Sequence, residues 1–110
     1  MTADLPAPLT RLDGAAEPGV PAAEARLRRL GVAPSTWSNG PGERYAAHEH
    51  ATTKLLVCAQ GSITFLVGAG AMPVELRAGD GVVLPAGTRH AAMVGSSGCT
   101  CVEGHRPAAG

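Results

Sequence analysis

The chain has 110 residues, 45% hydrophobic and 16% charged, with nine basic and nine acidic side chains and no formal net charge. That length suits one small domain with a modest core, and balanced charge without a basic stripe or aromatic run argues against a nucleic-acid partner. No apolar stretch approaches the ~18 residues of a membrane span, so no membrane partner is expected.

In chain order, residues 1–19 are rich in Ala, Pro and Gly without a period, and read as a flexible arm partly laid over the domain. They lack a charged region followed by an apolar one, so no secretory signal is expected and the reading is cytoplasmic. Residues 20–110 read as the single domain. Within "VPAAEARLRRLG", Pro21 suits the first helical position and Gly31 the residue after the last, predicting a helix over about 21–30. Ala23, Leu27 and Leu30 share its apolar face, and Glu24 and Arg28 pair on the wet side.

After the turn residues "WSNGPGE" come short runs: "RYAAHEH", "KLLVCAQ", "SITFLV", "PVELR", "GVVLP", "RHAAMV" and "CTCVEGH". Gly61, "GAGA", "AGDG", "PAG" and "GSSG" separate them. Many short strands divided by Gly and Pro predict an all-β antiparallel sandwich or barrel. The odd cysteine count, Cys58, Cys99 and Cys101, predicts reduced thiols rather than a disulfide framework.

Strand alternation puts His48 and His50 of "HEH" on one side and Glu49 on the other. His90, after "LPAGTR", supplies a third imidazole from another strand. Imidazole suits Zn, Fe, Cu, Ni and Mn, and a catalytic ion needs about three protein ligands and an open position.

At this point the chain resembles the cupin family. Its first motif is matched over 42–61: Gly42, five residues, His48-Glu49-His50, three residues, Lys54, six residues, Gly61. The second is matched over 79–94: Gly79, five residues, Pro85-Ala86-Gly87, two residues, His90, three residues, Val94. Lysine stands where the family has glutamate, and valine where it has asparagine. The resemblance implies an antiparallel cupin barrel, a double-stranded β-helix or jelly roll, with one short N-terminal helix. It also implies a divalent transition metal on His48, His50 and His90. Lys54 cannot replace a carboxylate ligand, since an ammonium has donors and no lone pair.

Lys54 is the one lysine in the chain, since the other eight basic residues are arginines. It has three readings: solvated at the rim, paired inside with a carboxylate, or catalytic as a base or amine nucleophile. In "CTCVEGHR", Cys99, Cys101, Glu103 and His105 share one face and Thr100, Val102 and Gly104 the other. If the first face is inner, Glu103 pairs with Lys54 or supplies the missing carboxylate. The favoured reading keeps the cysteines as small core fillers and leaves Glu103 and His105 in water. Cys58 shares parity with Lys54 and, with Glu103, is a candidate to stand behind the ligands. Tyr45, of opposite parity to His48, is expected to face out, and Trp37 to pack the helix or a subunit contact.

The function expected is a metal-binding cupin acting on a small organic molecule, the ion serving as Lewis acid or O2-activating centre. The alternatives are a non-enzymatic small-molecule or metal-binding module, and a metal-free cupin enzyme using Lys54. A homodimer is expected, because so short a chain has little interior for its many apolar strand residues.

Overall fold

Alternation along one long strand organises the molecule. The computed structural model describes residues 5–108. In β4 (Thr53–Val67), Leu56, Cys58, Ile63, Phe65 and Val67 turn inward, and Leu55, Val57 and Ala59 outward. The inward set meets Val74 and Leu76 of β5 (Met72–Arg77) and Val82 and Leu84 of β6 (Gly81–Leu84). Ala92, Val94, Cys99 and Cys101 of β7 (His90–Arg106) close this core. The outward set is covered by Ala23 and Leu27 of α1 (Val20–Arg29), with Leu12 and Val32.

Two further strands, β2 (Ser35–Asn39) and β3 (Arg44–His48), pair with β7, and the short β1 (Thr10–Arg11) pairs with β6. The seven strands run β1-β6-β4-β7-β2, with β5 added to β4 and β3 to β7. Every pairing is antiparallel. The all-β antiparallel barrel with one helix, expected from the strand spacing and the resemblance, is the fold observed.

Several boundaries differ from the sequence expectation. Gly61 and "GSSG" do not end strands; β4 and β7 run through them, 15 and 17 residues long. The register shifts there: Gly61 faces Cys99 while Ile63 faces Val94, so residues 95–98 bulge out of the ladder. Gly61 has φ +73°, and a Cβ at that position would lie 2.0 Å from the Gly98 carbonyl oxygen. Only glycine permits the two strands to cross so closely.

The segment expected as a loose arm contributes β1 and buries Leu9 and Leu12. Its residues before Leu5, and the last two of the chain, lie outside the described residues. Arg26 of α1, unremarked in the sequence, is what fastens this segment. Its guanidinium donates to the carbonyls of Leu12 (2.7 Å), Asp13 (2.9 Å) and Gly79 (3.0 Å). Among the described residues no helix is long and apolar enough to cross a membrane.

Candidate metal centre

β3 ends at His48, which stands opposite His90, the first residue of β7. His50 lies past the strand end rather than in it, and Gly87 N–H donates to its carbonyl at 2.9 Å. The "PAG" turn before His90 therefore fixes the backbone of His50 as well. The three rings converge, with one ligating nitrogen from each lying within 4.8 Å of the others. His48 and His50 bring their Nε2 atoms to 3.1 Å.

The donor set fits a divalent transition ion. His48 Nδ1 donates to the Ala46 carbonyl (2.7 Å) and His90 Nδ1 to that of Thr88 (2.9 Å). Those bonds orient the rings and leave Nε2 as the lone-pair nitrogen. Two nitrogens about 2.1 Å from one ion at a right angle stand about 3.0 Å apart. The His48–His50 spacing matches adjacent corners of one coordination sphere. Burial, then the nearby Lys54 and other histidines, holds His50 below its ordinary pKa. Burial does the same for His90, against the opposing pull of the Thr88 carbonyl. Both effects favour the neutral imidazole, which is the form that binds metal.

His48 and His90 open on a pocket of about 390 Å3. Leu56, Ile63, Phe65 and Ala92 form its apolar wall, and Trp37, Asn39, Tyr45, Lys54 and Glu103 its polar one. Lys54 is 8% exposed and forms an ion pair with Glu103 at 3.5 Å. The inner face of β7 is therefore the one carrying Cys99, Cys101 and Glu103. Glu103 is not left in water, as favoured from the sequence. It accepts from Trp37 Nε1 and pairs with His105 Nε2, each at 2.7 Å. His105 is the half-exposed end of this chain, and its Nδ1 meets Thr52 Oγ1 at 2.8 Å. Burial alone would raise the Glu103 pKa, but Lys54, His105 and Trp37 together hold it below the usual value. With its oxygens so engaged, Glu103 is a partner of Lys54 rather than a substitute ligand.

The expectation for Tyr45, and the helix contact expected of Trp37, are corrected. Tyr45 faces inward, because a β-bulge intervenes between it and His48. Tyr45 stands opposite Ala92 and His48 opposite His90, so Ala46 and Ala47 together oppose Ala91 alone. That extra residue reverses the parity on which the outward reading rested. Trp37 lies opposite Cys101, packs against the barrel core and meets Tyr45 edge-on at 5.9 Å, away from the helix. The Tyr45 hydroxyl donates to Asn39 Oδ1.

The cysteines are buried free thiols in the core. Cys58 stands opposite Cys101, and its Sγ lies 3.5 Å from the Gln60 carbonyl and 3.6 Å from that of Gly61. Its hydrogen bond with Cys101 lowers the Cys58 pKa and drives that of Cys101 far up. Cys58 lines the core below the pocket, not the pocket wall.

This barrel with histidines at one mouth defines a cupin-type protein. The family model described as a cupin domain matches residues 36–102, and the chain belongs to that family. Among solved structures it is similar to DMSP lyase DddQ from Ruegeria pomeroyi, with 25% identity and a TM-score of 0.61 over 68% of this chain and 38% of that one. An uncharacterized conserved protein with a double-stranded β-helix domain from Klebsiella pneumoniae shares 26% identity, with a TM-score of 0.60 over 67% of this chain and 62% of that one. A cupin superfamily protein from Desulfitobacterium hafniense matches at 21% identity and a TM-score of 0.61, over 69% of this chain and 67% of that one. The chain spans less than two thirds of the lyase and Klebsiella chains. No curated protein matches the sequence.

Proposed function

We propose that the chain is a metal-dependent cupin acting on a small organic molecule, with His48, His50 and His90 holding one divalent transition ion. The observation that carries this reading is the convergence of three imidazole nitrogens within 4.8 Å, with the His48 and His90 rings lining a pocket. Likeness to a protein named as a DMSP lyase supports an enzymatic role over simple storage of metal. A bound ion would polarise a substrate oxygen or activate O2. The chain's own residues do the rest: the Ala46 and Thr88 carbonyls orient two imidazoles, and Leu56, Ile63 and Phe65 keep water from one side of the substrate.

Elemental analysis of protein purified without a histidine tag tests this. About one metal per chain is expected, falling sharply in His90→Ala with the fold retained. Equal occupancy in both proteins, or none in either after reconstitution, would refute it. The exposed Met72 and Met93 on the strands also support a homodimer. A monomer mass by light scattering at micromolar concentration would sink that assembly.

A further inference from the structure

Lys54 sits on β4 between Leu84 of β6 and His105 of β7, and its side chain turns into the pocket. An ammonium carries three N–H donors. Its one partner among the described residues is Glu103, as an ion pair at 3.5 Å. Glu103 meanwhile gives its closer contacts to Trp37 and His105, both at 2.7 Å. Glu103 is thus satisfied by the protein, while Lys54 keeps donors that the protein does not match and that face the pocket, where an acceptor can reach them.

Among the described residues, no other lining side chain is a Lys or Arg that would compete for that acceptor. Trp37 Nε1 is committed to Glu103 and the Tyr45 hydroxyl to Asn39. Among the described residues Glu103 is the only carboxylate in the lining, and Lys54 already offsets it, so an incoming anion meets no uncompensated negative charge there. The opposite wall, with Leu56, Ile63 and Phe65, suits a hydrocarbon body and offers nothing to a ligand rich in hydroxyls or phosphates.

Resting on the function proposed above and deepening it, we propose that the ligand of this pocket is a small carboxylate with a short apolar body, one oxygen held by Lys54. The second oxygen is free for the side of the pocket lined by His48 and His90. Where the family motif has a carboxylate on the protein, this chain has an ammonium, and the carboxylate comes with the ligand. That accounts for a lysine at this one position, since a compact ammonium can turn its donors to a small acceptor in a confined space.

Trp37, the sole tryptophan, lines the pocket and reports binding by its fluorescence. The probes are butyrate and its neutral isostere butyramide, titrated at neutral pH into chelator-treated protein whose metal content is measured on the same sample. Butyrate is expected to bind roughly tenfold more tightly, as a charge-assisted contact predicts. Lys54→Met should bring the two affinities within about twofold, and Lys54→Arg should keep the preference. If Lys54→Met does not fold, the charge-balanced double variant Lys54→Met/Glu103→Gln takes its place with the same expectation. Equal affinities in the wild type, or a butyrate preference that survives loss of the lysine, would overturn the proposal. Protein that never takes up metal but prefers butyrate would sink the metal reading and leave this one standing. Protein that loads metal but shows no preference in its stripped form would sink this one alone.

Discussion

Among the described residues, Arg26 and Lys54 are the two buried Lys/Arg side chains, 5% and 8% exposed, yet their surroundings are opposites. Arg26 spends its fork on three backbone carbonyls from the N-terminal segment and the turn before β6. Lys54 makes one long ion pair and faces a pocket. Burial alone therefore does not separate a structural charge from one kept for a ligand. Whether the donors are already matched does, since only unmatched donors gain when something binds.

The largest effect should come from the satisfied cation. Arg26→Ala leaves three carbonyls without their donor and detaches the N-terminal segment from the barrel, for an expected loss of about 3 kcal/mol in urea unfolding. The histidine cluster should be untouched, with metal content as in the wild type. A loss below about 1 kcal/mol would erase the contrast between the two cations.

Lys54→Met should cost less, about 1–2 kcal/mol, because Glu103 keeps Trp37 and His105 and the pair lies at a water-accessible mouth. A loss as large as that of Arg26→Ala would make Lys54 a structural pin as well. Smaller again, Trp37→Phe keeps an aromatic ring, though a smaller one, but removes the N–H from Glu103, and should lower stability by about 1 kcal/mol. No change in the urea midpoint would show that this bond does not hold Glu103 in place.

The subtlest test is acid. The Glu103 pKa lies below its ordinary value of 4.5 in the folded chain, so the unfolded chain binds the proton more readily. Its contribution is complete above the ordinary value and is lost as pH falls through the lowered folded one. The stability gap between wild type and Glu103→Gln should therefore narrow from about pH 6 towards pH 3. A gap constant over that range would mean that the Glu103 charge is not held by its neighbours.

Much of the site was legible in the sequence because it rests on short-range spacing. The H-x-H pair and the P-x-G turn before His90 are each read over a few residues, although the two motifs lie far apart in the chain. The pairing of Lys54 with Glu103 was visible too, as one of two roles for an inward-facing Glu103. What escaped depended on departures from regular alternation. One bulge turns Tyr45 inward, and composition does not announce a bulge between two alanines. Gly61 read as punctuation because glycine ends strands more often than it lets them cross, and only the Gly98 carbonyl against it reveals the second role. Arg26 went unremarked, because its partners are backbone carbonyls from distant segments and backbone carries no side-chain signature.

The position of β7 in the chain also sets the order in which the molecule can assemble. Among the described residues, β2 and β3 pair only with β7, and Ser35 waits for Glu103 as its partner. During synthesis from the N-terminus both strands must emerge without a neighbour while β4, β5 and β6 can already join. Such distant pairings make folding slow, and they leave strand edges open until β7 has emerged. His48 meets His90 only when β7 docks, so a nascent chain stalled before that strand has two imidazoles and no third.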